Sequence, residues 1–119
     1  GASKLAGEAY CSVYYHAFGL ETVALRFSNV YGPLSTHKTS VVAKFIQEAL
    51  AGKDLEIFGD GNQTRDFIFV ADLTGAILKA AETDGISGEL FQVATARETS
   101  VKQLTDKLIG AMRKNAFNK

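Results

Sequence analysis

The sequence contains only one cysteine, Cys11, among its 119 residues. A single cysteine excludes an internal disulfide and a cysteine-based zinc cluster, and it fits a reducing compartment. Free cysteines usually act as small hydrophobic side chains, so we expect Cys11 to pack along a helix and not to react. The two histidines, His16 and His37, lack the spacing of metal ligands, and we predict no metal site.

The sequence also lacks an excess of charge of either sign and a long apolar run. Lysine plus arginine and aspartate plus glutamate number 13 each, so no net charge attracts nucleic acid or an anionic membrane. No apolar segment approaches the roughly 20 residues of a membrane-spanning helix, and the first residues do not resemble a signal peptide. We therefore expect neither nucleic acid nor a membrane as a partner, and a cytoplasmic location.

The composition is that of one small globular domain, with 46% hydrophobic and 22% charged residues. Helical and strand-like patterns alternate, which predicts an α/β fold. The predicted helices are Ser3–Phe18, closed by Gly19; Val41 to about Ala51, capped by Ser40; Asp72 to about Glu82; and a last helix from the Ser100–Gln103 capping box to near Lys114. The predicted strands are Thr22–Phe27, Leu55–Phe58, Asp66–Val70 and Leu90–Val93, with turns or loops over 28–39 and 59–64 and a frayed tail over 115–119.

Little in the sequence predicts a dinucleotide site. A doubly wound sheet needs several parallel strands, and only Thr22–Phe27 has the two-sided apolar character of a strand in such a sheet. The turn Gly59-Asp60-Gly61 follows a strand-like segment but opens no helix, so it does not match a phosphate-binding glycine turn. We therefore do not expect this chain to bind NAD tightly on its own.

Four segments of the chain carry motifs, in order and at plausible spacing. They are Gly1–Glu8, Leu25–Pro33, Phe58–Asp72 and Gly88–Ala94. Together they resemble the extended short-chain dehydrogenase/reductase family, and within it the NAD-dependent nucleotide-sugar epimerases and dehydratases, which include the UDP-glucose 4-epimerases. The corresponding family patterns are Tyr-x-x-x-Lys, Arg-x-x-Asn-Val-Tyr-Gly-Pro, Gly-x-Gly-x-Gln-x-Arg-Asp-Phe and Gly-x-x-Phe-Asn-Val.

The resemblance implies a particular domain organisation. Residues 1–119 would form a single C-terminal nucleotide-sugar-binding domain, the substrate-binding portion of the family fold without most of its Rossmann sheet. Within it, residues 1–33 would be a remnant of the cofactor-domain helix and strand. The chain opens at Gly1 without a methionine and runs directly into helical sequence, so we expect a fragment. The catalytic tyrosine of the family motif would stand immediately before Gly1.

Lys4 corresponds to the lysine of the Tyr-x-x-x-Lys pattern, and the resemblance implies two roles for it in the parent enzyme. Its cation would stabilise the phenolate of the catalytic tyrosine and lower the pKa of that tyrosine. Its side chain would also hydrogen-bond the nicotinamide ribose of NAD. Without those partners Lys4 is an exposed lysine at a helix start, and we predict that the isolated chain is catalytically inactive.

Arg65 and Asn29 are the main candidates for substrate binding. The planar guanidinium of Arg65 suits a diphosphate; the alternative is a salt bridge with Asp66 or with an acid across the fold. Asn29 ends the predicted sheet strand, where open α/β sheets bind ligands. Its amide would donate to a phosphate oxygen, as the family equivalent does, and the alternative is a turn residue that caps its own backbone.

Gln63 and Phe58 are further substrate candidates with weaker support. Gln63 could bind ribose or phosphate, and Leu55–Phe58 could contact the nucleobase through backbone groups and the Phe58 ring. The alternative for Phe58 is a place in the core, which we also expect for Phe67 and Phe69, because alternating aromatic residues in short strands usually fill the interior.

The leading hypothesis is a fragment of a UDP-sugar 4-epimerase-like enzyme that carries the half-site for a UDP-sugar or a similar nucleotide-sugar. The alternatives are a non-catalytic nucleotide-sugar-binding module and a dimerising structural remnant. The parent could also be a nucleotide-sugar 4,6-dehydratase or a decarboxylase. In the family the first helix contributes to a homodimer interface, so its apolar stripe predicts a homodimer or other self-association, which light scattering would test.

Overall fold

The computed structural model describes residues 1–35 and 39–116. The fold class is α/β, as predicted. The helices are α1 (Ala2–Phe18), α2 (Val41–Leu50), α3 (Val70–Glu82) and α4 (Val101–Ala116), and the strands are β1 (Ala24–Phe27), β2 (Asn29–Tyr31), β3 (Thr64–Phe69), β4 (Leu90–Val93) and β5 (Glu98–Ser100). His37 and the end of the predicted tail, 117–119, lie outside the described residues.

Helix α1 confirms the predicted first helix to within one residue. It ends where Gly19 adopts a left-handed conformation, with a φ of 68°, and donates its N–H to the carbonyl oxygen of Tyr15. No residue of α1 is buried by the rest of the described chain, and Cys11 is only half-buried. Its large exposed apolar side chains are Leu5, Tyr10, Val13, Tyr14 and Phe18. The self-association expected from this stripe stays a prediction.

The strands form two separate sheets, and β1 and β2 follow one another with only Ser28 between them. Strand β1 pairs in parallel with β4, whereas β2 pairs in parallel with β3, and β3 also pairs antiparallel with β5. The chain therefore changes sheet partners at Ser28, whose N–H donates to the Val93 carbonyl oxygen. The prediction of a turn over 28–33 is wrong for Asn29–Tyr31, because β3 supplies a partner strand there.

Other predicted boundaries also need correction. Leu55–Phe58 forms no strand, although it alternates: its half-buried residues Leu55 and Ile57 pack against the core without any strand beside them. The strand predicted to start at Asp66 is instead Thr64–Phe69, and α3 begins directly at Val70. Strand β5 was not predicted, β1 starts two residues later than predicted, and α4 extends two residues past Lys114.

The core of the chain lies where α2 and α4 meet over the three-stranded sheet. Val42, Phe45, Val101 and Leu104 form its buried cluster, and the half-buried Phe67 of β3 packs against it. The predicted core position of Phe67 is therefore confirmed, whereas Phe69 is 37% exposed and contacts the ring of Tyr31. This cluster holds the two helices on one face of β3.

Side-chain caps fix the starts of α2 and α4 as predicted. The hydroxyl of Ser40 accepts from the Ala43 N–H. At α4 the capping is reciprocal, since the Gln103 N–H donates to the Ser100 hydroxyl at 3.2 Å and the Ser100 N–H donates to Oε1 of Gln103 at 3.0 Å. Across the described ranges, no helix combines the length and apolar character that a bilayer crossing requires.

Candidate functional site

The register of β2 and β3 brings together the two main substrate candidates. Asn29 lies directly beside Phe67 in the parallel pair, and Arg65 is two residues before Phe67 on the same strand. Because side chains alternate along a strand, all three share one face of the sheet, with the Cα atoms of Asn29 and Arg65 roughly 8 Å apart. The two residues predicted to hold a phosphate group therefore lie within reach of a single ligand.

The Arg65 side chain is exposed and forms no ion pair with any described residue. Its Nη1 donates to the carbonyl oxygen of the preceding residue, Thr64, at 2.8 Å. The salt bridge with Asp66 that was the alternative for Arg65 does not form, because successive strand residues point to opposite faces of the sheet. Most guanidinium donors of Arg65 thus stay open to solvent.

The amide of Asn29 is used across the strand pair and does not cap its own turn. Its Nδ2 donates to the backbone carbonyl oxygen of Asp66 at 3.1 Å. This bond orients the side chain toward β3, which carries Arg65, and it leaves the amide oxygen and a second amide hydrogen for another partner. The alternative reading of Asn29, as a residue that caps its own backbone, does not describe this geometry.

Asp66 organises the opposite face of the sheet, a role that sequence reasoning missed. Its carboxylate accepts from the Thr95 N–H at 3.0 and 3.1 Å, from the Thr95 hydroxyl at 3.0 Å and from the Arg97 N–H at 3.0 Å. The Thr95 N–H is the main reason that the pKa of Asp66 lies below its ordinary value. The signal in the sequence was the acid directly after Arg65 in the third motif segment.

These bonds predict a specific acid sensitivity of the fold. The pKa of Asp66 is lower in the folded chain than the unfolded value of about 3.9. Its stabilising contribution is therefore complete above about pH 4 and is lost as the pH falls through the folded-state pKa. We expect Asp66→Asn to lower the urea midpoint at pH 7 and to lower it by less at pH 3, because part of the contribution of the Asp66 carboxylate is lost below about pH 4.

The control is Asp106→Asn, which removes an exposed carboxylate from α4. We expect it to leave the pH dependence of the urea midpoint close to that of the wild type. An equal loss of stability in Asp66→Asn at pH 7 and pH 3 would show that the charge on Asp66 does not contribute.

Gln63 and Phe58 lie together in the loop that leads into β3. Nε2 of Gln63 donates to the Phe58 carbonyl oxygen at 3.0 Å, which closes the loop on itself. The Phe58 ring is 67% exposed and faces Nζ of Lys44 at 4.7 Å from its centroid. The core alternative for Phe58 is therefore wrong, and the ring is accessible to a ligand. The substrate roles of Phe58 and Gln63 stay predictions.

The start of α4 anchors this loop. The N–H groups of Val101 and Lys102 donate to the carbonyl oxygens of Gln63 and Gly61. Gly61 has a φ of 71°, and a Cβ there would lie 3.0 Å from side-chain atoms of Ile57 and Lys102. The glycine of the third motif segment thus permits a tight turn that seats the loop on α4.

Lys4 lies in the first turn of α1, exposed, at the end of the helix nearest to Asn29. The direction of α1 follows from two contacts: the Cys11 carbonyl oxygen accepts from the Thr22 hydroxyl, and Glu8 contacts Arg26. Helix α1 therefore runs antiparallel to β1, and its N-terminus lies toward the carboxyl end of β1. Lys4 and Asn29 therefore both lie toward the carboxyl end of β1, where parallel strands present ligand sites.

A two-bond ion pair fixes α1 against β1. Nε of Arg26 donates to Oε1 of Glu8 at 2.7 Å, and Nη2 donates to Oε2 at 2.6 Å. Hydrogen bonding within the pair lowers the pKa of Glu8 and raises the pKa of Arg26. Sequence reasoning assigned no role to either residue, although both stand within the motif segments. The pair connects the helix of Lys4 to the strand that leads to Asn29.

The described residues offer limited support for NAD, and they contain no cluster of metal ligands. Gly59-Asp60-Gly61 leads to strand β3 and not to a helix, so this turn does not fit a dinucleotide diphosphate. Of the described residues, only Lys4 is a candidate contact for NAD. No group of three or more metal-ligating side chains occurs in the described ranges.

A groove of about 590 Å³ lies beside the face of the sheet that carries Asn29 and Arg65. Its apolar surface includes Tyr31 and Phe67, and its polar surface includes Arg97, Thr99 and Lys107. Apolar walls with a few polar groups are typical of small-molecule sites. Sequence reasoning predicted none of these residues as part of a binding site, and it assigned Phe67 to the core.

The α/β fold is that of the short-chain dehydrogenase/reductase epimerases and dehydratases. The chain belongs to the NAD dependent epimerase/dehydratase family, whose family model matches residues 1–94. The extended short-chain dehydrogenase/reductase resemblance is thereby confirmed.

The relatives include both epimerases and dehydratases. A putative UDP-glucose 4-epimerase of Methanocaldococcus jannaschii is 42% identical over 108 residues, which are 89% of this chain and 34% of that protein. The crystal structure of UDP-glucose 4-epimerase with UDP-glucose from Thermotoga maritima superposes with a TM-score of 0.83 at 37% identity, covering 89% of this chain and 34% of that one. A dTDP-glucose 4,6-dehydratase from Bacillus anthracis in complex with NAD gives a TM-score of 0.84 at 28% identity, covering 93% and 35%. This chain thus spans about a third of the length of these relatives.

Proposed function

We propose that this chain carries the nucleotide-sugar half-site of an NAD-dependent UDP-sugar 4-epimerase-like enzyme. The observation that carries the proposal is the shared sheet face of Asn29 and Arg65, with the arginine unpaired in the described chain. A guanidinium and an amide at this separation can each donate to one diphosphate. The Thermotoga relative with UDP-glucose supports this class of ligand.

The proposed catalytic contribution of this chain is limited to Lys4. In the whole enzyme, NAD supplies the hydride acceptor and donor when it is bound. Lys4 would hold the nicotinamide ribose and would lower the pKa of the catalytic tyrosine by its positive charge. Its exposed position toward the carboxyl end of β1, which Asn29 closely follows, supports this role.

The test is a calorimetric titration of the chain with UDP and, separately, with NAD. We expect weak UDP binding, and we expect Arg65→Ala to weaken it about tenfold or more, because hydrogen bonds to charged groups contribute about 1.5–3 kcal/mol. Arg113→Ala is the matched control, since it removes an exposed arginine from the last turn of α4. We expect this control to bind UDP like the wild type.

The possible outcomes separate the competing functions. UDP binding that depends on Arg65, without tight NAD binding, supports the half-site. Tight NAD binding would overturn the assignment of the cofactor contacts to Lys4 alone. Failure to bind either ligand would favour a structural role. The epimerase assignment over a 4,6-dehydratase rests on the loop of Gly59 to Arg65, and activity of the parent enzyme on UDP-glucose would decide it.

A further inference from the structure

We infer that Arg97 is a second arginine for the diphosphate of the nucleotide-sugar, acting together with Arg65 across the β3–β5 pair. The inference rests on the proposed function and adds a residue to its site. It depends on the register of β3 and β5, on the lining of the groove and on the absence of acids from that lining. Arg97 lies outside the motifs that the sequence resemblance supplies.

The register of β3 and β5 separates the charges onto two faces. Arg65 lies opposite Thr99, and Asp66 lies opposite Glu98. Arg97 comes directly before β5, two residues from Thr99, so continuing the strand alternation by one residue places it as the diagonal neighbour of Arg65 on the same face. Diagonal neighbours are about 7–8 Å apart, within reach of long side chains. The acids thus share one face and the arginines share the other.

The lining of the groove agrees with this placement of Arg97, although Arg65 itself is not among the lining residues. Arg97 and Thr99 both line the groove, together with Phe67. Lys107 of α4 adds a second cation, and none of the described residues that line the groove is acidic. Neither Arg97 nor Lys107 forms an ion pair with a described residue. The described residues that line the groove therefore carry positive charge and no negative charge, and the nearby Asp66 carboxylate is taken up by the N–H groups of Thr95 and Arg97 and the Thr95 hydroxyl.

This distribution of charge fits a ligand with two phosphoryl groups and an apolar ring. Two arginines on the same strand pair repel one another, and an anion between them removes that cost. Each guanidinium can donate to phosphoryl oxygens, and a diphosphate offers oxygens on two phosphorus atoms. The rings of Tyr31 and Phe67 provide an apolar surface beside the cations. A nucleoside diphosphate has both the two phosphoryl groups and a ring that can lie against Tyr31 and Phe67.

The experiment compares UDP and uridine binding in the wild type, Arg97→Ala, Arg97→Lys and the control Arg113→Ala. Arg97→Ala keeps the backbone N–H that donates to Asp66, so the fold is expected to persist, which thermal unfolding checks. We expect Arg97→Ala to weaken UDP binding about tenfold and to leave the affinity for uridine unchanged. Arg97→Lys should recover part of the lost affinity because it restores the charge without the planar fork.

A double variant, Arg65→Ala with Arg97→Ala, tests whether the two residues share one ligand. Loss of affinity in the double variant that differs from the sum of the single losses supports a shared diphosphate. If Arg65→Ala weakens UDP binding but Arg97→Ala does not, this inference is overturned and the proposed function stands. If the wild type does not bind UDP, both are overturned. If Arg97→Ala weakens uridine as much as UDP, the contact is not with the diphosphate.

Discussion

Replacing Phe45 by alanine is expected to lower the free energy of unfolding by about 3–5 kcal/mol. The Phe45 side chain is 2% exposed and lies in the buried cluster of Val42, Val101 and Leu104 between α2 and α4. Its removal leaves a cavity at the centre of that cluster. Because small domains have only about 5–15 kcal/mol of stability, the loss would bring this chain close to unfolding at 25 °C.

The cluster also supports the face of the sheet that binds the proposed ligand. Phe67 lies directly beside Asn29 and two residues after Arg65 on that face, and its side chain packs against the cluster of Phe45. We therefore expect Phe45→Ala to lower UDP affinity as well as stability. Equilibrium unfolding in urea measures the change in stability.

The matched control for Phe45→Ala is Leu50→Ala, at the end of the same helix. The Leu50 side chain is 78% exposed, so we expect its loss to change the free energy of unfolding by less than about 0.5 kcal/mol. For Phe45→Ala, the expected loss in the free energy of unfolding is about 3–5 kcal/mol. A loss below about 1 kcal/mol would show that α2 and α4 do not pack as described.

The elements that sequence reasoning predicted well are those whose signals are local. Gly19 ends α1, Ser40 caps α2, and Ser100 with Gln103 begins α4, each through contacts between residues at most four positions apart. A cap depends on the conformation of one turn, so its residues identify it without knowledge of the tertiary structure. The helices were therefore located to within about two residues.

The strands were predicted less well because a strand requires a partner. Leu55–Phe58 alternates as a strand does, yet no described segment pairs with it, and it lies against the core as an extended chain. Asn29–Tyr31 has the residues of a turn and becomes a strand because β3, more than 30 residues later, lies beside it. Sequence patterns define which residues favour extended structure, but register is a tertiary property.

The candidate site was predictable in part for the same reason. The resemblance identified Asn29 and Arg65, but only the register of β2 and β3 places them on one face of the sheet. The sequence suggests Asp66 only as a partner for Arg65, whereas its bonds to Thr95 and Arg97 depend on the path of the chain after β4. The spacing of residues in the sequence does not predict that path.

Replacing Gly88 by alanine is expected to destabilise the chain through two separate effects. Gly88 has a φ of 85°, a conformation that costs a residue with a Cβ about 1–2 kcal/mol. A Cβ at this position would also lie 2.4 Å from Cδ1 of Tyr15 on α1, and overpacking of this kind costs about 1–3 kcal/mol. The turn before β4 cannot move away easily, because the Gly88 N–H donates to the Thr22 carbonyl oxygen at 2.7 Å. The expected total loss is about 2–5 kcal/mol by urea unfolding.

Gly85 offers a control that separates the two effects. Its φ of 77° resembles that of Gly88, but no atom lies within 4 Å of an added Cβ, so Gly85→Ala should show only the backbone cost of about 1–2 kcal/mol. In a double-mutant cycle, Gly88→Ala in the Tyr15→Ala background should lack the overpacking and should show only the backbone cost of about 1–2 kcal/mol. Equal losses in Gly85→Ala and Gly88→Ala would show that α1 does not press on this turn. Helix α1 carries Lys4 and contacts β1 through the Glu8–Arg26 pair. That result would therefore leave the position of Lys4 relative to Asn29 and Arg65 with one supporting contact fewer.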